Sequence, residues 1–348
     1  MQSKKNIIKY IILILAISVF IGVFIFSFND INEILNTLKD ANYYYILIGL
    51  IMVIVYVCLS SFSIMSILYY KKEKIKLLDS FCICSSEFFF RGVTPFNSGG
   101  EPFQIYGFSV CNVKASKSTP IILLNFAIFQ VITNILSILG LVIYYDEIYA
   151  SLSGCFYIVI VGLIVNLGTM ILLFFAMSKK MGSLAIKLLK WLSNKKLLKK
   201  ILNNKLLSSL EQYFTDMSNV SAELTKNWPI IIVNAILKFI ALVAYNSIPF
   251  FVIKAMGINL GMDQFIYTFM LTIFASTMLI WVPTPGASGG MEYVFTMIFV
   301  SLGATGAAAI SGMLIWRLLT YYILLIIGFI CYLVFNKRRK LYEDRVIY

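Results

Sequence analysis

The chain has 348 residues, of which 60% are hydrophobic and 13% charged, and its mean hydropathy is +0.88. These values exclude a soluble globular domain and indicate a polytopic membrane protein. The net charge of +13 does not indicate nucleic-acid binding, because the lysines cluster in the loops of one side.

Six apolar runs are long enough to cross a bilayer as helices. They are residues 7–28, 43–70, 121–144, 155–177, 229–253 and 307–335. The first run is too long for the apolar part of a signal peptide and has no small-residue cleavage site, so we expect it to remain as a span. The loops of one side are basic and those of the other are acidic or nearly neutral, which predicts a multi-pass protein of the cell membrane with both termini cytoplasmic.

Two further apolar stretches, 77–110 and 265–302, are each interrupted by a related segment. The two segments read Thr94-Pro95-Phe96-Asn97-Ser98-Gly99-Gly100 and Thr284-Pro285-Gly286-Ala287-Ser288-Gly289-Gly290. Proline removes a backbone donor and paired glycines add freedom, so neither segment fits a continuous helix. Each stretch starts and ends on one side, which predicts two opposed re-entrant hairpins in an inverted repeat. Residues 265–282 are also long enough to cross alone, which would leave the second break near the cytoplasmic face.

The sequence therefore predicts an all-α integral membrane protein. A first membrane half, 1–177, carries the hairpin 77–110, and a second half, 229–335, carries the hairpin 265–302. Between them lies a polar segment, 178–228, and after them a basic cytoplasmic tail, 336–348. The lysine and leucine pattern of 178–228 predicts a basic amphipathic helix on the anionic lipids of the inner leaflet, with a solvated linker as the alternative.

Charged residues within apolar surroundings are costly and mark candidate functional sites. Arg91 and Glu101 flank the first break, Glu292 follows the second, and Lys238 and Arg317 lie within predicted spans. Helix N-termini after the two glycine pairs would suit a phosphate, while the two glutamates would repel it unless a cation meets them. We therefore expect a headgroup that carries both signs. The alternative is that these charges form ion pairs that only stabilise the packing of the helices.

Enzymatic and metal-binding functions have little support. There is no histidine, no Walker motif and no nucleophile elbow, and the six cysteines are scattered among apolar residues. We therefore predict no catalytic residue, no metal site and no cofactor. An intramembrane transferase that uses carboxylates on a lipid carrier remains a conceivable alternative.

The motifs Pro95-Phe96-Asn97-Ser98-Gly99-Gly100-Glu101 and Pro285-Gly286-Ala287-Ser288-Gly289-Gly290-Met291-Glu292 resemble those of the transmembrane flippase region of the lysylphosphatidylglycerol synthase family. The resemblance covers essentially the whole chain. It implies transfer of phospholipid, in some members lysyl-phosphatidylglycerol, from the inner to the outer leaflet, which confers resistance to cationic peptides. It also implies a stand-alone member that lacks the soluble transferase domain. The chain departs from the pattern at Gln104, where many members have arginine, and Arg91 is the candidate to supply that charge.

We therefore predict a flippase for an anionic or aminoacylated phospholipid. The alternatives are a non-transporting partner of a lipid-modifying synthase and a transporter of another lipid carrier or of a soluble anion. Expected partners are the phospholipid substrate, anionic lipids of the inner leaflet, and a lipid synthase or a second copy of the chain, but no nucleic acid. The predicted headgroup-binding residues are Arg91, Thr94, Asn97, Ser98, Gly99, Gly100, Glu101, Gln104, Lys238, Thr284, Ser288, Gly289, Gly290, Glu292 and Arg317, with Pro95 and Pro285 as the helix breaks.

Overall fold

The computed structural model describes residues 31–193, 204–279 and 282–343. Every regular element in these ranges is helical, which confirms the predicted all-α fold. The predicted first span, 7–28, lies outside the described residues. So do residues 194–203 of the basic segment and 344–348 of the tail.

The helices of the described ranges are numbered here in chain order. They are α1 (Ile31–Lys39), α2 (Tyr43–Tyr70), α3 (Leu77–Val93), α4 (Gly100–Val110), α5 (Ala115–Ile143), α6 (Tyr145–Leu152), α7 (Phe156–Ala176), α8 (Lys179–Ser193), α9 (Asn204–Leu224), α10 (Trp228–Ala255), α11 (Met262–Leu279), α12 (Gly290–Ser301), α13 (Gly306–Arg317) and α14 (Ile323–Glu343). A π-helical turn, Leu318–Tyr322, joins the last two into one continuous helix.

Five helices of the described ranges are long and apolar enough to cross a membrane: α2, α5, α7, α10 and the continuous helix over Gly306–Arg339. The bounds of α2 coincide with the predicted run, because Asn42 ends the preceding loop and its side chain accepts a hydrogen bond from the backbone N–H of Tyr44 at 3.0 Å. α5 begins at Ala115, before the predicted start, and continues through Pro120. Membrane helices tolerate such an internal proline because neighbouring groups satisfy the freed carbonyl.

Each predicted hairpin consists of a helix, a short 3₁₀ turn and a second helix. In the first hairpin, α3 leads into Pro95–Asn97 and then α4, and in the second, α11 leads towards Pro285–Ala287 and then α12. We call these two turns the first tip and the second tip. The two helices of each hairpin pack together, and the two tips contact each other. The two breaks therefore meet, with the second tip buried and the first partly exposed. The membrane face from which each hairpin enters stays a prediction.

The helix packing follows a two-fold repeat. The spans that precede the hairpins, α2 and α10, pack against each other. The first helix of each hairpin then packs against the span that follows the other hairpin, so that α3 contacts α14 and α11 contacts α5. This exchange of partners between the halves is the arrangement expected of an inverted repeat, and it holds the tips at the centre of the contact.

The basic segment and the tail are both attached to the membrane core. α9 packs against both α5 and α8. The Thr119 and Tyr213 hydroxyls lie 2.9 Å apart, and the Lys71 ammonium lies 2.6 Å from the Glu223 carboxylate. α14 continues well past residue 335, and Arg338 forms an ion pair with the buried Asp79 of the first hairpin. The start of the predicted tail is thus part of the last helix.

Candidate functional site

The backbone adopts the same turn at both tips. Phe96 and Asn97 have φ values of 57° and 50°, and the equivalent Gly286 and Ala287 have φ values of 59° and 53°. After each turn a serine hydroxyl donates to the carbonyl of the tip proline, at 2.9 Å in both copies. Left-handed backbone is uncommon for residues other than glycine. Its recurrence at equivalent positions indicates a required turn geometry.

Residues of the two motifs that lie beside the turns stabilise the turn geometry. The Thr94 hydroxyl accepts a hydrogen bond from the Gly99 backbone N–H at 2.8 Å and donates to the Phe90 carbonyl at 2.8 Å. A side chain at position 99 would place its Cβ 2.6 Å from that same carbonyl oxygen. In the second copy the Thr284 hydroxyl donates to the Ser288 carbonyl at 2.8 Å. The threonines and Gly99 therefore fix the chain path through each break.

A cluster of charges lies behind the first tip. The Arg91 guanidinium pairs with Glu87 at 2.8 Å and with Glu101, which lies in the first turn of α4. Gly100 permits this approach, because a Cβ there would lie 2.8 Å from Cγ of Arg91. The Gln104 amide donates to Glu87 and so orients that carboxylate. The side chains of Arg91 and Glu101 are 25% and 20% exposed, so a ligand can reach both.

The ion pair at the second tip is almost completely buried. The Nε of Arg317 donates to Glu292 at 2.8 Å, and its Nη2 donates to the Gly286 carbonyl at 2.8 Å and to Ser288 at 3.1 Å. The other oxygen of Glu292 accepts from the Gly289 backbone N–H at 2.7 Å and so caps α12. The side chains of Arg317 and Glu292 are 7% and 11% exposed. This pair ties the turn to the last span.

A cavity of about 420 Å³ lies where the two tips meet. The first tip contributes Phe96 and Asn97 to its wall, and the second contributes Gly286 and Ala287. Its aromatic walls come from four helices and the π-helical turn, and consist of Tyr56, Phe88, Phe126, Phe129, Tyr245 and Tyr321. The Arg91 guanidinium lies 5.8 Å from the centroid of the Phe126 ring. The cavity is thus apolar and aromatic, with one ion pair on its wall, which is typical of a ligand site.

Lys238 lies in a small chamber that shares walls with this cavity. Glu87, Arg91 and Lys238 all line the chamber, and Lys238 is 8% exposed. Within the described ranges no carboxylate lies within salt-bridge distance of Lys238. The group as a whole is neutral in formal charge, because it contains two carboxylates, Glu87 and Glu101, and two cations, Arg91 and Lys238. Both carboxylates contact Arg91 and neither pairs with Lys238.

The structure divides the predicted site residues into two groups. Arg91, Asn97, Ser98 and Glu101 line the cavity, and Lys238 lines the chamber beside it. The others lie outside both linings, at the turns, the helix ends or the second ion pair: Thr94, Gly99, Gly100, Gln104, Thr284, Ser288, Gly289, Gly290, Glu292 and Arg317. Pro95 and Pro285 begin the two tips, as predicted. The headgroup-binding role of every one of these residues stays a prediction.

The predicted site lacks two residues that the structure places centrally: Glu87, which the sequence marks only as a carboxylate within the first hairpin, and Tyr321. Glu87 precedes Arg91 by one helical turn, and that spacing is the signal that would have found it. Tyr321 follows Arg317 by one turn and lies beneath its guanidinium, 4.5 Å from Cζ to the ring centroid. The Tyr321 hydroxyl also donates to the Gly92 carbonyl of the first hairpin at 3.1 Å, a contact that no local pattern predicts.

The family described as the lysylphosphatidylglycerol synthase TM region matches residues 11–328 of the chain. The match includes both hairpins, both ion pairs and every residue that lines the cavity. A comparison with curated proteins finds no match.

Proposed function

Because the chain belongs to the family of lysylphosphatidylglycerol synthase transmembrane regions, we propose that it is a lipid flippase. Family membership connects the chain with membrane lipids. The proposal adds that it moves an anionic or aminoacylated phospholipid of the lysyl-phosphatidylglycerol kind from the inner to the outer leaflet and does not synthesise it. Display of a cationic headgroup outside would lower the attraction of the surface for cationic peptides.

The observation that carries the proposal is the partly exposed pair of Arg91 and Glu101 in the cavity between the tips. An ionised side chain at membrane depth is costly, and such residues commonly mark a substrate path. A headgroup with a phosphate and an ammonium can replace both partners at once, the phosphate at Arg91 and the ammonium at Glu101. The exchange leaves neither side chain without a counter-charge.

The charges around the cavity favour a headgroup of mixed sign over a simple anion. Glu87 and Glu101 both contact Arg91, so a phosphate there meets two carboxylates unless an ammonium comes with it. Lys238, which has no carboxylate partner in the described ranges, supplies the balancing positive charge beside the chamber. Aminoacylated phospholipids meet this requirement.

The size of the cavity suits transfer of the headgroup alone. A volume of about 420 Å³ lies within the range of pockets for small ligands and is too small for two acyl chains. The acyl chains would therefore stay in the bilayer while the headgroup crosses between the tips. Movement of one half against the other would open the cavity to each leaflet in turn, as in other transporters with inverted repeats.

We assign α8 to the surface of the inner leaflet. Leu184, Leu188 and Trp191 are exposed on it, and Lys180 and Lys187 are exposed beside them. An apolar stripe flanked by lysines binds anionic membrane surfaces. α8 would then keep α9, which packs against it, close to the lipid from which the substrate comes.

Leaflet transfer in reconstituted vesicles tests the proposal. Vesicles with and without the protein receive fluorescent lysyl-phosphatidylglycerol, phosphatidylglycerol or a zwitterionic lipid, and the label in the outer leaflet is quenched over time. We expect faster transfer of the aminoacylated lipid with the wild-type protein, and loss of that transfer in the double variant Arg91→Met, Glu101→Gln. Equal transfer by that variant, or no transfer of any lipid, would contradict the proposal and favour a non-transporting partner.

A further inference from the structure

Lys238 is a buried cation on α10 that has no carboxylate partner in the described ranges. One turn earlier on the same helix, the Asn234 amide donates to the Ser63 backbone carbonyl at 2.7 Å and accepts from Asn125 at 3.4 Å. The amides beside the lysine are therefore satisfied, while the ammonium group is left without a counter-charge. A buried charge of this kind is costly and marks a functional position.

The chamber that Lys238 lines is too small for a headgroup. Its volume is about 10 Å³, which is room for about one water molecule or one oxygen of a side chain. The cavity of about 420 Å³ between the tips does not have Lys238 in its wall. Lys238 therefore has to act on a ligand in the cavity through a neighbouring side chain.

Glu87 links Lys238 to the cavity, because it lines the chamber and also contacts Arg91. Its Oε1 lies 2.8 Å from Nη1 of Arg91, and its Oε2 accepts a hydrogen bond from the Gln104 amide. Of the carboxylates around Lys238, Glu87 attracts it most strongly. Both cations line the same chamber, so Oε1 can turn from Arg91 towards Lys238 while Oε2 keeps its bond to Gln104. The exchange is a rotation of one side chain.

The balance of charges shows what this exchange achieves. Without a ligand, Arg91 is shared by Glu87 and Glu101, and Lys238 has neither. When a headgroup of mixed sign enters, its phosphate can pair with Arg91 and its ammonium with Glu101. Glu87 can then pair with Lys238, so that every charge has one partner. Without a cation at position 238, Glu87 would stay on Arg91 and repel the phosphate.

We propose that Lys238 is a positioning residue for headgroup binding, which accepts Glu87 from Arg91 when a headgroup enters and so frees the guanidinium for the phosphate. The inference rests on the proposed function, because it assigns a role within the same headgroup site. It gives Lys238 no contact with the headgroup. Lys238 should therefore affect binding only as long as residue 87 is a carboxylate.

Binding of a short-chain lipid to the purified full-length protein tests this role. The affinity for dihexanoyl lysyl-phosphatidylglycerol in detergent is measured by isothermal titration calorimetry for the wild type, Lys238→Met, Glu87→Gln and the double variant. We expect Lys238→Met to bind about ten- to hundredfold more weakly, since Glu87 then competes with the phosphate for Arg91. Glu87→Gln should bind more tightly than the wild type. In that background Lys238→Met should have no further effect, within about twofold.

The comparison of the two backgrounds distinguishes this role from two others. If Lys238 contacted the headgroup directly, Lys238→Met would weaken binding by the same factor with and without the Glu87 carboxylate. If Lys238 were only structural, Lys238→Met would lower Tm and leave the affinity unchanged. Either result would overturn the proposal. Lys254→Met, on the same helix and outside both linings, is the matched control and should bind the lipid as the wild type does.

Lys238→Gln removes the charge and keeps a hydrogen-bond donor, so it tests the same dependence on Glu87 even if Lys238→Met does not fold. Leaflet transfer in vesicles separates this inference from the proposed function. Transfer by the wild type, with equal effects of Lys238→Met in both backgrounds, removes the exchange and leaves the flippase. Background-dependent binding without transfer removes the flippase and leaves the exchange. Absence of lipid binding by the wild-type protein overturns the exchange, whatever the transfer assay shows.

Discussion

The first and second tips have the same backbone turn and differ in what surrounds it. At the first tip Arg91 is shared by two carboxylates and remains partly exposed to the cavity. At the second tip Arg317 has one carboxylate, a backbone carbonyl and a hydroxyl as partners, and it is buried. A repeated motif has thus given one charge pair that a ligand can reach and one whose partners all belong to the protein.

This difference suggests that the two ion pairs have different roles. The buried Arg317–Glu292 pair makes further hydrogen bonds to the second tip and so holds the second hairpin against the last span, and rearranging it would leave buried groups unpaired. The first pair can exchange partners with a headgroup at lower cost, because water and ligand reach it. Variants at equivalent positions of the two tips should therefore affect stability at the second tip and transfer at the first.

The largest expected effect is the loss of Arg317. The substitution Arg317→Met leaves Glu292 as an uncompensated buried charge, which should lower the free energy of unfolding by about 3–5 kcal/mol. Adding Glu292→Gln removes that charge and keeps an acceptor for the Gly289 N–H, so the double variant should recover most of the stability. Unfolding in detergent measures both. A stable double variant that has lost lipid transfer would place the second tip in the headgroup site.

Position 286 gives the next largest effect. In Gly286→Ala the new Cβ would lie 2.1 Å from Cε2 of Tyr321, in a backbone with φ of 59°. Clash and left-handed strain together should cost about 2–4 kcal/mol. The matched control is Phe96→Ala, because Phe96 has the same φ and already carries a Cβ, and its side chain is 48% exposed. Similar melting temperatures for the two variants would show that Tyr321 does not press on the second tip.

The two glycine-rich motifs were enough to predict the hairpins, because a break in an apolar run has a local cause. α2 likewise follows from the apolar run and its Asn42 cap. The difference in exposure between the ion pairs at the two tips could not be predicted in this way. Arg317 is separated from Glu292 by 25 positions, and Tyr321 from Gly92 by 229, so only the packing of the two halves brings them together. In the sequence Arg91, Glu101, Glu292 and Arg317 are equivalent candidates, because apolar surroundings do not show which charged side chains a ligand can reach.

Substitution of Glu101 tests the role of the partly exposed Arg91–Glu101 ion pair. In Glu101→Gln, Arg91 keeps Glu87 as its partner, so the stability should change little. A charged hydrogen bond to the headgroup ammonium contributes about 1.5–3 kcal/mol, so transfer of the aminoacylated lipid should fall by about ten- to hundredfold. Phosphatidylglycerol, which has no ammonium, should be affected less. The exposed Glu147→Gln serves as the control. An equal loss for both lipids would argue against an ammonium contact at Glu101.

The smallest effect should come from the contact between the two halves. Tyr321 lies in the π-helical turn of the last span, with its ring against Gly286 and its hydroxyl on the Gly92 carbonyl. Tyr321→Phe retains the ring contact and deletes only the hydrogen bond to the first hairpin, so the free energy of unfolding should fall by about 1 kcal/mol.

The effect of Tyr321→Phe on transfer should exceed what this small change in stability implies, because π turns frequently occur at functional sites and the hydroxyl joins the first hairpin to that turn. Thr277→Val, on α11, deletes a buried hydroxyl that donates to the Phe274 carbonyl of its own helix, lies outside the cavity lining and is the matched control. If both variants transfer lipid at the same rate, Tyr321 packs the tips together without coordinating their movement.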